Sequence, residues 1–202
     1  MKATRLAPLG LAWIVAAAAP VLAQGRDTAV FAGGCFWGVD AVFRHVRGVL
    51  HVVSGYAGGS AATARYDLVS TDTTGHAESV EVTFDPEQVS YQQLLRVFFT
   101  VAHDPTQRDR QGPDVGTQYR SALFYTSPEQ RHAALAMITT LQREHVYADS
   151  IVTEVVPLRR FYAAEAYHQE YLARHRDQPY IVYNDLPKLG ALKQKFPELY
   201  RP

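Results

Sequence analysis

Cysteine is nearly absent from this chain of 202 residues: Cys35 is the only one. A single thiol excludes an internal disulfide and leaves either intermolecular pairing, a reactive thiol or an inert buried side chain. Methionine and tryptophan are scarce too, at two each. Neither sign of charge is in excess, because Lys+Arg and Asp+Glu both number 20. That balance, with no basic run, argues against a nucleic-acid partner. Phosphate-cradling GxxxxGK[ST] and GxGxxG loops are missing. The eight histidines are scattered, with no partner at a known ligand spacing, so no metal and no other cofactor is expected.

Long apolar runs are confined to the first 23 residues. Lys2 and Arg5 give a positive start, Leu9 to Ala19 is apolar, and Val21-Leu22-Ala23 closes with small side chains. This pattern reads as a signal peptide over residues 1–23, cut after Ala23. The run is short for a membrane span, and an uncleaved anchor stays open as the alternative. The remaining chain, 24–202, reads as one domain with 18 basic and 20 acidic residues, a net charge of −2. It has no further run of spanning length. The expected location is periplasmic or secreted, where a lone thiol is unusual.

What is present alternates between strand and helix patterns. Thr28 to Ala32 is a short apolar run ending at Gly33-Gly34. From Cys35 the apolar residues Val39, Val42, Phe43 and Val46 fall at helical spacing. Val49 to Tyr56 and Glu78 to Phe84 read as strands, Tyr91 to Val101 as a helix and Tyr119 to Tyr125 as a strand. Ser127-Pro128 starts a helix over residues 128–147, followed by a strand from Ile151 to Val156. Residues 163–174 read as a helix with His168 and Tyr171 on one face. The tail, 177–202, reads as coil-rich with a short helix near Leu189–Lys195. The mixture predicts an α+β domain with a largely antiparallel or mixed sheet. Two long polar loops, 59–76 and 103–118, contain Tyr, His and Asp. Loops of that length are usually functional or disordered.

Chemistry concentrates around Cys35. A thiol at a helix start, after a glycine turn, faces unpaired N–H groups that lower its pKa. Phe36 and Trp37 supply apolar surface beside it. An inert buried cysteine is the alternative. Glu78 shares strand parity with Val80, Val82 and Phe84, so it lies on the apolar face. A desolvated carboxyl there keeps its proton and can serve as a general acid. If the strand begins after Glu78, it is merely solvated. Tyr119 offers a phenol at a strand start, or anchors a core edge. His168 and Tyr171 form a hydrogen-bonded pair behind a site, or cap the core.

Together, Gly34-Cys35-Phe36-Trp37-Gly38, Gly75-His76-Ala77-Glu78 and Gly112-Pro113-Asp114-Val115-Gly116-Thr117-Gln118-Tyr119-Arg120-Ser121 closely resemble the peptide methionine sulfoxide reductase A family. Gly55-Tyr56-Ala57-Gly58-Gly59, His103-Asp104-Pro105-Thr106 and Tyr167-His168-Gln169 match it as well, so the resemblance spans about residues 28–190. The resemblance implies a sandwich around a ferredoxin-like sheet with flanking helices. It implies reduction of the S-epimer of methionine sulfoxide, free or in proteins, a repair reaction. By the same resemblance Cys35 attacks the sulfoxide sulfur and becomes a sulfenic acid, and Glu78 protonates the oxygen. Tyr66 and Tyr119 hold that oxygen, Phe36 and Trp37 cradle the ε-methyl, Asp114 contributes to substrate binding, and His168 and Tyr171 support the network.

The chain departs from many members in one respect. The tail segment from Gln178 to Asp185 has no resolving cysteine, and Ser70 stands where another cysteine is common. An external thiol must therefore reduce the sulfenic acid. A thioredoxin-like protein, a glutaredoxin–glutathione route and a membrane-relayed donor all remain open. Two other readings of the residues compete. A cysteine hydrolase would pair Cys35 with His76 or His168. A binding module would use the aromatic pocket without chemistry.

Overall fold

The computed structural model describes residues 25–202. The signal-peptide reading of residues 1–23 lies outside them. In chain order the elements are β1 (Asp27–Gly33), α1 (Phe36–Arg44), β2 (Val49–Ala57), α2 (Tyr66–Val69), β3 (Ala77–Phe84), α3 (Tyr91–Val97), β4 (Arg110–Gln111) and β5 (Asp114–Val115). They continue as β6 (Ser121–Tyr125), α4 (Pro128–Arg143), β7 (Glu154–Pro157), β8 (Phe161–Ala163), α5 (Tyr171–Arg174) and α6 (Leu186–Lys195). Six strands form one sheet in the order β7-β6-β1-β3-β2-β8, and β4 and β5 form a separate hairpin. Among the described residues only the β6–β7 pair is parallel. The α+β class and the mixed, mainly antiparallel sheet are therefore as the sequence predicts.

Alternation sorts each strand between two cores. Ala29 and Phe31 of β1 join Val80 and Val82 of β3 in the main core under the helices. Val30 and Ala32 face the other way, with Ala77, Ala122 and Phe124. Burial on both faces is why β1 reads as a continuous apolar run. Helix starts follow their capping chemistry. Ser90 and Gln93 form a reciprocal capping box on α3, and Ser127 caps α4 with Pro128 in its first turn.

Three expected elements are corrected. The helix from Tyr91 ends as an α-helix at Val97 and continues as a π-turn, Phe98–Ala102, in which the adjacent Phe98 and Phe99 are both fully buried. Residues 163–174 are not one helix. They divide into the end of β8, a 3-10 turn at Ala166–His168 and α5, because Glu170 takes φ +51°, outside any right-handed helix. The tail is helical and docked rather than coil-rich. A π-turn, Ile181–Asp185, leads into α6, and Ile181, Leu192 and Leu199 are buried. Arg47 N–H donates to the Leu199 carbonyl at 2.6 Å and Arg201 N–H to that of His45 at 2.7 Å, fixing the tail to the end of α1. Among the described residues, no helix is long and apolar enough to cross a membrane.

Candidate active site

The turn between β1 and α1 delivers the thiol. Gly34 sits at φ +89°, and a Cβ there would come within 2.5 Å of the Gln111 side chain. Glycine is therefore required both for the conformation and for the close approach. Cys35 is the N-cap residue of α1, with the Trp37 amide facing its sulfur but no full capping hydrogen bond. The thiol is only 8% exposed. Burial pushes it well above its ordinary pKa, and the Glu78, Asp185 and Asp114 carboxyls push it the same way. The sequence expectation of a lowered pKa is thus overturned. The Trp37 amide does favour the thiolate, but desolvation in a closed site outweighs it.

Glu78 lies beside the thiol. β3 starts at Ala77, one residue before it, so the parity argument holds and the solvated alternative fails. The side chain is 3% exposed among the main-core residues of β3. One carboxyl oxygen accepts the Phe36 N–H at 3.0 Å, an orphan donor in the first turn of α1. Burial raises the Glu78 pKa to about 8, partly offset by that N–H and reinforced by Asp114. At neutral pH the acid is protonated. Directly across the strand pair is Tyr56, wholly buried, whose hydroxyl donates to Glu165 at 2.9 Å.

Aromatic side chains wall the thiol. Phe36 is buried, 5.9 Å from the Tyr56 ring and 4.9 Å from the His168 ring. Trp37 stacks on Tyr171 at 3.7 Å and 7°, and its Nε1–H donates to His168 Nδ1 at 3.2 Å. His168 and Tyr171 thus both contact Trp37 rather than sharing one helix face. Accepting at Nδ1 puts the His168 proton on Nε2, which is buried without a partner, and burial lowers the ring's pKa. His76 is committed elsewhere. Its Nδ1 accepts the Gly59 N–H at 3.2 Å and its Nε2 bonds the Ser60 carbonyl at 2.9 Å. Neither histidine of the hydrolase reading is paired with Cys35.

The two long loops complete the site. Tyr66 opens α2, with its N–H on Glu165 at 2.9 Å. Tyr119 ends a 3-10 turn, Thr117–Tyr119, and the strand starts only at Ser121, which corrects its expected place at a strand start. Burial raises the pKa of both phenols, and the charges of Glu78 and Cys35 raise them further, so both hydroxyls remain donors. Asp114, on the β4–β5 hairpin, accepts the Tyr180 hydroxyl at 2.5 Å, which ties that loop to the tail. Tyr180 also meets the edge of Trp37, with ring centroids 6.0 Å apart.

Tyr56, Glu165, Tyr180 and Asp185 were not read from the sequence. Tyr56 could have been, since it shares parity with Val52 on β2. Asp185 is fully buried, paired with Lys188 at 3.2 Å and pressed on Gly38, where a Cβ would lie 2.1 Å from its carboxyl oxygen. No local pattern signals that contact, which depends on how the tail docks. A hollow of about 990 Å³ between α3 and α4 is lined by none of these residues.

A family model described as "Peptide methionine sulfoxide reductase" matches residues 27–199. The chain is 54% identical to a peptide methionine sulfoxide reductase MsrA 2 of Mesorhizobium japonicum over 178 residues, 88% of this chain and 91% of that protein. It is 49% identical to a peptide methionine sulfoxide reductase MsrA of Thermus thermophilus, covering 88% of this chain and 99% of the other. The crystal structure of Mxr1 from Saccharomyces cerevisiae in reduced form superposes with a TM-score of 0.69 at 31% identity, over 75% of this chain and 87% of that one. Methionine sulfoxide reductase A of Corynebacterium diphtheriae gives 0.66 at 35% identity, over 75% and 76%.

Proposed function

The chain belongs to the peptide methionine sulfoxide reductase family and reduces methionine sulfoxide to methionine in protein repair; on that premise we propose that Cys35 is the nucleophile and Glu78 the acid. One observation carries this assignment. Glu78 is buried, protonated at neutral pH, and hydrogen-bonded to the amide of the residue that follows the thiol.

The sulfoxide oxygen takes hydrogen bonds from the Tyr66 and Tyr119 hydroxyls and the proton of Glu78. Protonation leaves a cationic sulfur facing Cys35, which favours loss of the thiol proton. That proton returns to the Glu78 carboxylate as the Cys35 sulfur attacks. The bond formed between the two sulfurs then breaks together with the substrate S–O bond as the hydroxyl passes to the Cys35 sulfur, leaving methionine and a Cys35 sulfenic acid. The substrate sulfur gains two electrons and the cysteine sulfur gives up two. Phe36 and Trp37 hold the methyl group, and Asp114 shapes the pocket wall. The S-epimer is the substrate form. Because Cys35 is the only cysteine, resolution is external: one thiol displaces water to give a mixed disulfide, and a second releases Cys35 as a thiol. A thioredoxin-like protein or a glutaredoxin–glutathione system fits this chemistry.

The segment 1–23 is a signal peptide and the enzyme acts in the periplasm or outside the cell, a reading supported by its charged start, apolar middle and small-residue end. The catalytic unit spans residues 24–202. The ferredoxin-like sandwich reading draws support from the succession β1-α1-β2-β3-α3-β6 with spatial order β6-β1-β3-β2. The test is turnover of each epimer of a methionyl sulfoxide peptide with dithiothreitol, beside dimedone trapping after one equivalent of sulfoxide without reductant. Activity on the S-form, lost in Cys35→Ser, and a dimedone adduct on Cys35 are expected. Equal activity of the two proteins would sink the assignment.

A further inference from the structure

Tyr66 and Tyr119 come from different loops, and no strand pairing joins those loops. Something else must set the spacing of their hydroxyls. The turn that ends in Tyr119 begins at Thr117, preceded by Gly116, which has no side chain to cap it. The missing cap comes from the other loop. Asp72, just past α2, accepts the Thr117 N–H at 2.6 Å and the Thr117 hydroxyl with the same oxygen. At the far end of the turn, Arg120 follows Tyr119. Its guanidinium donates to the Thr117 carbonyl at 2.8 Å, the Gly75 carbonyl at 3.1 Å and the His76 carbonyl at 3.2 Å. It also pairs with Glu154 at 3.2 Å, with its side chain only 14% exposed.

We propose that Asp72 and Arg120 form a clasp that joins the two tyrosine-bearing loops and positions Tyr66 and Tyr119 for the sulfoxide oxygen. The inference rests on the assignment of those two phenols to that oxygen. Both ends of the Tyr119 turn are held from the Tyr66 loop, so moving one loop moves the other phenol. Asp72 is held at φ +64°, a conformation unfavourable for an L-residue. Such strain persists where the surroundings over-determine it, and it clusters at functional sites. Asp and Asn tolerate it best, because their short polar side chains bond locally.

The test uses four proteins: Asp72→Asn, Asp72→Gly, Tyr119→Phe and the Asp72→Gly/Tyr119→Phe double variant. Asparagine keeps both the acceptor oxygen and the tolerance of positive φ. Glycine removes the acceptor while relieving the backbone, so a loss cannot come from strain. Steady-state rates are measured with a methionyl sulfoxide peptide and dithiothreitol, alongside melting temperatures. We expect Asp72→Asn within about twofold of the parent kcat/KM. Asp72→Gly should lose about tenfold or more at a nearly unchanged melting temperature, since small misplacements at a reacting centre are costly. In the Tyr119→Phe background the same change should cost clearly less than in the parent, because only the placement of Tyr66 is then left to lose. Parent-like activity in Asp72→Gly, or an equal loss in both backgrounds, would overturn the clasp while the tyrosine assignment stands. Full activity in Tyr119→Phe would overturn the tyrosine assignment itself, and the clasp with it.

Discussion

Replacing Glu78 by glutamine should trade activity for stability, and the structure gives the size of both effects. The folded pKa is about 8 against an ordinary 4.5. Between those values the folded protein holds a proton that the unfolded chain has released. Stability therefore falls as pH rises from 4.5 to about 8 and then levels off. At 1.36 kcal/mol per unit, the full cost of the buried ionised carboxylate is about 5 kcal/mol above pH 8. Glutamine is neutral at every pH and can still accept the Phe36 N–H. The variant should match the parent in stability near pH 4.5 and exceed it increasingly toward pH 8, by up to that amount.

The activity of the parent enzyme runs the other way with the same proton. With a pKa of about 8, roughly nine-tenths of the acid is protonated at pH 7 and roughly one-tenth at pH 9. The kcat/KM of the free enzyme should fall about tenfold per unit above pH 8. Glutamine at position 78 should remove this inflection and lower the rate by about 10² to 10⁴, the usual worth of a positioned acid. Urea denaturation from pH 5 to 9 and a matching pH–rate profile provide the readouts. A parent–variant stability difference independent of pH, or a rate that rises through pH 8 because of Glu78, would refute the reasoning.

Three further outcomes follow from the same geometry. Cys35 in the free protein should react with iodoacetamide at least about tenfold more slowly than free cysteine at pH 7.5, and its rate should still be rising above pH 9; a midpoint below pH 8 would contradict the raised thiol. Trp37→Phe removes the donor to His168 Nδ1 and part of the ring that stacks on Tyr171, so it should cost about 1 kcal/mol or more, read as a fall of at least about 2–4 °C in Tm. The clasp variants at Asp72 should separate backbone relief from the loss of the Thr117 cap, as kcat/KM rather than as melting temperature.

The site was legible where it followed local rules and opaque where it depended on docking. Strand parity offered Glu78 on the apolar face beside a solvated alternative, and β3 decides for the first because it obeys a period of two from Ala77 onward. The helix start at Phe36 followed from the spacing of Val39, Val42 and Phe43 behind a glycine turn. The ionisation of Cys35 was misjudged because a helix start speaks only of the local field. Part of the aromatic shell that closes the site, Tyr171 and Tyr180 packed on Trp37, comes from α5 and the tail, more than 130 residues away. The helix expected over 163–174 had the right periodicity, but the left-handed Glu170 breaks it, and nothing in the local sequence marks that residue. Asp185 and Tyr180 reach the site only because Ile181, Leu192 and Leu199 bury the tail against α1.

Burial of the thiol and burial of the acid are one device rather than two. The walls that desolvate Cys35 also desolvate Glu78, and the Glu78 charge would raise the thiol further if it ionised. At neutral pH the resting site therefore holds both protons and carries no charge on either group. A protonated thiol is a poor partner in disulfide exchange, which needs the thiolate. In the proposed mechanism a sulfoxide changes this balance when it takes the Glu78 proton, because positive charge then appears opposite the sulfur and favours the thiolate. On the proposed assignment, the nucleophile is thus released by its own substrate. This gives a physical reason for a chain with one cysteine to keep it unpaired: the sulfur is quiet until a sulfoxide arrives, and only its sulfenic acid calls for a second thiol.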